Sequence, residues 1–234
     1  MKLIEWVGSK SKVITIAVGL AFAVFTTIKK FYLKMPMPHY DMLAYSASFV
    51  VIAYLLSALG AMNRREKEME RIDALTGIPN RRAFYDLAGL EIHRNRRYKH
   101  PFTVAYLDID NLKMVNYRLG YGTGDNLLQA VARTIKGNIR EVDIVSRFGG
   151  DEFALLLPET GAESAQVVLS RLRTKLLEAM KNSQWPATFS FGAATFVTPP
   201  DSIEDVVKKA GTLMYSAKNS GPNMIDQEVF DSAR

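Results

Sequence analysis

Cysteine is absent from the 234 residues, which excludes a disulfide framework and any thiolate metal site and suits a cytoplasmic working domain. Internal repeats and low-complexity tracts are also missing, so no solenoid or tail architecture is expected. A third deficit is positive charge where a nucleic-acid binder would need it. The net charge is +6, but residues 1–72 hold ten Lys/Arg against five Asp/Glu, while residues 73–234 hold twenty against nineteen. A nucleic-acid footprint should make the globular part basic. Here the excess flanks apolar segments, where it reads as membrane-bordering charge. The chain is 48% apolar and 23% charged, enough to build a sizeable core.

Two uncharged apolar runs stand near the N-terminus. Val13 to Ile28 is bordered by Lys10, Lys12, Lys29 and Lys30, and Leu43 to Met62 is the longer of the two. An apolar helix of roughly 20 residues crosses a hydrocarbon core. The pair predicts a two-helix membrane hairpin within residues 1–62, with helices over about 13–33 and 43–62. Lysines, rather than a small-residue cleavage site, follow the first run, which disfavours a signal peptide. Trp6 fits an interfacial anchor, and Arg64, Arg65, Lys67 and Arg71 place the C-terminal side in the cytoplasm. Residues 63–75 predict a linker helix, either a short parallel coiled coil or a solvated connection, leaving 76–234 as the globular domain.

In that domain, periodicity predicts helices over Asn80–Arg97, Gly124–Gly137, Glu163–Lys181 and Ser202–Lys218, the last opened by a Ser202/Asp205 capping box. Strands are predicted over Phe102–Ile109 and Ala187–Phe196, with a hairpin over Ile144–Leu157 turning at Gly149-Gly150. The order is α-β-α-β-β-α-β-α, an α/β sandwich of split-βαβ, ferredoxin-like type.

The first strand ends in Asp108-Ile109-Asp110, and the hairpin turn adds Asp151 and Glu152. Like charges ending a buried strand require a cation or other partners. Oxygen ligands without nearby His or Cys favour Mg²⁺ or Mn²⁺ over zinc. His93 and His100 stand among Arg94, Arg96, Arg97 and Lys99 and fit a solvated helix end. These acids alone do not name a reaction.

The heptapeptide Arg147-Phe148-Gly149-Gly150-Asp151-Glu152-Phe153 resembles the signature of GGDEF-domain diguanylate cyclases. Asp73-Ala74-Leu75-Thr76-Gly77-Ile78-Pro79-Asn80-Arg81-Arg82 resembles that domain's opening motif. Asp108 to Asn116, with Gly120 and Gly124-Asp125, resembles its metal and nucleotide segment. Ser190-Phe191-Gly192-Ala193-Ala194 and Ala217-Lys218 resemble its later strand and helix. The resemblance spans about residues 73–225 in order. It implies a nucleotidyl cyclase-type fold that condenses two GTP into cyclic di-GMP, with two Mg²⁺ or Mn²⁺ ions per site.

By that resemblance, Asp108, the Ile109 carbonyl and Asp151 hold the ions, with Glu152 assisting. Asn116 and Asp125 read guanine, an acceptor pattern that adenine cannot match. Leu112, Lys113 and Lys218 belong to the substrate site, the lysines as phosphate contacts, and Gly149 and Gly150 allow close backbone approach. Arg140-Glu141-Val142-Asp143 resembles the family's inhibitory product site, with Arg171 as a supplementary contact. The resemblance further implies a homodimer, because each domain binds one GTP, and a bacterial source; with the apolar runs and their flanking charges, the expected location is the inner membrane with the catalytic domain in the cytoplasm. Four positions depart from the family pattern: Tyr117 for Asp, Tyr121 for His, Pro222 for Arg and Gly211 for Asp. Losing the arginine at 222 predicts weaker GTP binding and leaves a rival expectation. In that reading a weak or inactive domain serves as a cyclic di-GMP receptor or a GTP-binding membrane scaffold.

Overall fold

A computed structural model describes residues 49–62, 70–198 and 201–231. Two compact units divide the chain, Met1–Glu70 and Arg71–Arg234. In the first, residues 49–62 are helical and expose Val50, Ile52, Tyr54, Leu55 and Leu59. Among the described residues no helix is long and apolar enough to cross a membrane. The run Val13 to Ile28 and the stretch Leu43 to Ser48 lie outside the described residues.

The expected linker helix is not found over its described part. Residues 63–69 lie outside the described residues, and 70–75 form a bridge and a turn. Asp73 Oδ1 accepts hydrogen bonds from the Thr76 N–H at 2.9 Å and the Thr76 hydroxyl at 2.6 Å. This local side-chain capture competes with the helical ladder. Gly77, at φ +70°, then reverses the chain so that Ile72 bridges Pro79. The compact unit therefore starts at Arg71, not at residue 76.

That unit is a five-stranded mixed sheet with helices on both faces. Its elements are α1 (Arg81–Tyr98), β1 (Phe102–Asp110), α2 (Leu112–Leu119), α3 (Tyr121–Lys136), β2 (Ile144–Gly149), β3 (Glu152–Leu157), α4 (Ala162–Asn182), β4 (Thr188–Phe196), α5 (Ile203–Ser220) and β5 (Ile225–Phe230). The sheet order is β2-β3-β1-β4-β5. β1 runs antiparallel to both β3 and β4, and β5 is parallel to β4. With β3 inserted between β1 and β2, the split-βαβ expectation holds at the level of the sheet, and β5 extends it.

Strand alternation produces two cores. Ala105, Leu107 and Ile109 of β1 join Val115, Leu127, Val131, Leu169 and Leu176 on one face. Val104 and Tyr106 join Phe84, Ile92, Val206 and Ala210 on the other. All nine residues of β1 are buried, as expected for a central strand covered on both sides. The ends of α1 and α5 follow their caps: Asn80 accepts from Ala83 N, and Ser202 accepts from Asp205 N. Two elements were not anticipated. The helix α2 is only 8 residues long, too short for clear periodicity. The edge strand β5 is half-exposed and largely polar, without the hydrophobic alternation that marks a strand.

Candidate active site

The C-terminal end of β1 and the β2–β3 turn meet at one corner of the sheet. Asp108 pairs with Glu152 across the ladder, and Ile109 N–H donates to the Asp151 carbonyl at 3.1 Å. The two acidic segments recognised in sequence are thus neighbours. Gly149 and Gly150 take φ +131° and +54°, conformations open to glycine at little strain.

The turn is held from outside by residues that the sequence reading quoted but gave no role. Arg147 donates to the Gly150 carbonyl at 2.9 Å and to both Asp73 carboxylate oxygens at 3.1 and 3.3 Å. Burial would push Asp73 up, but the Thr76 hydroxyl and N–H, with Arg147, hold its carboxyl below the usual range. Phe148 packs edge-on against Phe84 at 5.2 Å and Tyr106 at 5.3 Å. The opening motif and the signature therefore form one clamp on the hairpin.

Asp108 and Asp110 are equally buried, each 7% exposed, but differently engaged. Asp110 accepts from the Thr188 hydroxyl at 2.7 Å, the Ser190 hydroxyl at 3.0 Å and Asn223 N–H at 3.1 Å. It ties β1 to β4 and to the entry of β5. Asp108 meets one cation, the Lys218 ammonium of α5, at 2.6 Å. Burial, together with the charges of Asp151 and Asp110, pushes Asp108 up to about 6 against the pull of Lys218. Burial would lower Lys218, but Asp108, Asp110 and Asp151 hold it above its ordinary value. Glu152 shares the sheet face with Asp108, and its carboxylate accepts from the Tyr106 hydroxyl at 3.1 Å. Burial and that carboxylate raise the phenol above its ordinary value.

Among the described residues no three acidic or histidine side chains stand close enough to hold a metal ion between them. A set of two carboxylates and one main-chain carbonyl does not need three. Asp108, Asp151 and the Ile109 carbonyl are hard oxygen donors around an excess of negative charge, and they fit Mg²⁺ or Mn²⁺.

The helices α2 and α3 bring Asn116 against Gly124. A side-chain carbon on Gly124 would collide with Asn116 Oδ1, so glycine there leaves room for the amide. Asn116 Oδ1 is buried without a hydrogen-bond partner, while the adjacent Asp125 is exposed. Lys113 is exposed in the first turn of α2, where free N–H groups favour anions. Leu112 is 7% exposed, and its side chain packs in the core. Only its backbone can face a ligand. Tyr117 and Tyr121 are 91% and 80% exposed.

Behind the hairpin, Arg140 and Arg171 line a cleft of about 570 Å³ with Asn138, Ile139, Ser164 and Val167. Arg171 donates to the Asn138 carbonyl at 2.9 Å. Asp143 does not line this cleft. One carboxylate oxygen accepts from Arg140 N–H at 2.8 Å, and the other is buried without a partner. Burial raises its carboxyl despite Arg140 and Arg171. In this conformation Asp143 braces the loop that carries Arg140.

Residues 70–224 match the family described as diguanylate cyclase, GGDEF domain. Over 171 residues the chain is 32% identical to the cyclic di-GMP phosphodiesterase NbdA of Pseudomonas aeruginosa, covering 72% of this chain and 22% of that protein. Over 167 residues it is 32% identical to the diguanylate cyclase DgcP of the same organism, covering 70% of this chain and 24% of that one. The chain thus spans less than a quarter of the length of either relative. The GGDEF domain of DgcB from Caulobacter crescentus, solved in complex with c-di-GMP, aligns with a TM-score of 0.60 at 26% identity, covering 67% of this chain and 92% of that one. Motif order, sheet order and these matches agree on one lineage: the chain belongs to the diguanylate cyclase GGDEF-domain family.

Proposed function

We propose that this protein condenses two GTP into cyclic di-GMP with release of two pyrophosphates, working as a homodimer subject to product inhibition. The observation that carries the proposal is the corner where the Asp108 strand end, paired with Lys218, meets the Asp151 turn. Asp108, the Ile109 carbonyl and Asp151 would hold two divalent ions. Those ions would neutralise the triphosphate and stabilise the departing pyrophosphate. Asn116 and Asp125 select guanine, Lys113 and Lys218 take phosphate oxygens, and the Gly149-Gly150 turn admits the nucleotide to the backbone. Glu152, held by Tyr106, supports the same face. Each domain contributes one GTP, so two copies must face each other, and a membrane hairpin would raise their effective concentration. The proposed setting is a bacterial inner membrane with this domain in the cytoplasm. Arg140 and Arg171 supply the cations for the inhibitory product, and Asp143 would accept a guanine edge only after its loop opens.

The test is chromatographic detection of cyclic di-GMP after incubating purified protein with GTP and Mg²⁺ at high protein concentration. Asp151→Ala should abolish product, and Arg140→Ala should relieve inhibition. Product that survives Asp151→Ala overturns the assignment. One observation favours a second reading, a weak or inactive domain serving as a receptor or GTP-binding scaffold: Pro222, exposed after α5, offers neither cation nor N–H. Absence of turnover in a demonstrated dimer would establish that reading instead.

A further inference from the structure

Asp108 is a buried carboxylate that feels the charges of Asp151 and Asp110, and the ammonium that neutralises it comes from a residue otherwise suited to phosphate. Its side chain is 10% exposed and that of Lys218 is 34% exposed, so the pair opens to solvent from the lysine side. Lys218 lies in the last turn of α5. The helix behind it packs main chain to main chain against β4, because a carbon added to Gly192 would meet the main chain of Ala210, Leu213 and Met214. Movement of the ammonium must therefore come from its flexible four-carbon stem, while the helix stays in place.

We propose that Lys218 is a built-in stand-in for the metal: it neutralises Asp108 in the metal-free protein, is expelled by the arriving divalent ion, and then clamps the incoming triphosphate. This rests on the reading of Asp108 and Asp151 as metal ligands. The physical logic is exclusion. A divalent ion and an ammonium cannot both sit against one carboxylate oxygen without like-charge repulsion. A buried carboxylate left with neither would be strongly destabilising. The lysine thus satisfies Asp108 whenever no ion does, and competes with the ion. Once displaced, it remains tethered within reach of the phosphates. Metal and triphosphate binding become coupled, because the triphosphate gives the expelled ammonium a new partner.

The coupling predicts opposite signs from one substitution. In full-length protein, Lys218→Met should tighten Mn²⁺ binding, followed by titration calorimetry without nucleotide, by about fivefold or more, the lower end for coupled sites. The same variant should weaken binding of guanosine 5′-[α,β-methylene]triphosphate to the Mn²⁺-loaded protein by a similar factor. Wild-type protein supplies an independent measurement free of folding risk. Mn²⁺ alone should accelerate acetylation of Lys218 by acetic anhydride, read by peptide mass spectrometry, and the analogue should suppress it again. If Mn²⁺ binds the wild type and is lost in Asp151→Asn, yet Lys218→Met does not tighten it and Lys218 labelling ignores the metal, the exchange is refuted while the metal site stands. If Mn²⁺ binding is indifferent to both Asp108→Asn and Asp151→Asn, the metal site falls, and the exchange with it.

Discussion

Gly192→Ala is the smallest change that tests how the site is held together. Gly192 lies in β4 opposite Tyr106 of β1, beneath α5. Its added carbon would stand 2.6 Å from the Leu213 carbonyl carbon and closer still to Met214 N and Ala210 O. Ordinary contact begins near 3.4 Å, so the shortfall is at least 0.8 Å against main chain, which no rotamer can relieve. The helix must lift, loosening Val206, Ala210, Leu213 and Met214, all now buried. Overpacking of this kind costs about 1–3 kcal/mol and occasionally more, and main-chain contact places this case at about 3 kcal/mol. For a chain of this size each kcal/mol shifts Tm by about 2–4 °C, giving a fall of about 6–12 °C. Lifting α5 also carries Lys218 away from the phosphates it is proposed to contact, so GTP turnover should fall further than the stability loss explains. The assays are differential scanning calorimetry and product chromatography at a temperature where the variant is folded. A Tm within about 1 °C of wild type would refute the claim that close helix–strand approach requires glycine here.

Gly124→Ala should separate stability from recognition. Helix propensity favours alanine by up to about 1 kcal/mol, but the new methyl displaces the Asn116 amide. Calorimetric Tm should hold or rise while KM for GTP increases about tenfold, the value of one buried hydrogen bond to a base. Pro222→Arg restores a cation beside the phosphate side and removes a rigid turn residue; KM for GTP should drop about two- to fivefold, as expected of an exposed charge pair, while stability falls by up to about 1 kcal/mol. Gly211→Ala, in α5 with open space around the position, should stabilise by about 0.5–1 kcal/mol in urea titration without altering turnover. Glu91 is 4% exposed, and burial raises its carboxyl despite Arg94, so deprotonation opposes folding. Folded-state Glu91 keeps its proton to higher pH than the unfolded chain, so it adds stability as pH falls through the raised value. Glu91→Gln should therefore be more stable than wild type at pH 7, an advantage that shrinks on acidification. A pH-independent difference would contradict the assignment.

Much of the site was readable because its chemistry lies in contiguous words. Asp108-Ile109-Asp110 and the Gly149–Glu152 turn each carry their own local geometry, and the strand and hairpin predicted around them are present. Strand alternation alone treats Asp108 and Asp110 alike; the partners that fix Asp110 are Thr188, Ser190 and Asn223, which arrive from 78 or more positions away. Leu112 shows what a motif does not specify. Helical phase turns its side chain into the core, which leaves its backbone for any ligand contact. Over its described part, residues 70–75, the expected linker helix gives way to a turn because Asp73 captures Thr76, a competition that propensity does not weigh.

The sequence alone determined the split-βαβ order, the alternation that gives the sheet two cores, and the positions of four acids on two strand ends. These follow from period and turn chemistry, which act over a few residues. The partners of each acid belong to the tertiary structure alone: donors for Asp110, the Lys218 ammonium for Asp108, Tyr106 for Glu152, and Arg140's own backbone for Asp143. A carboxylate's role is fixed by the charges and donors that burial forces against it, and those come from segments whose spacing along the chain carries no trace of their meeting.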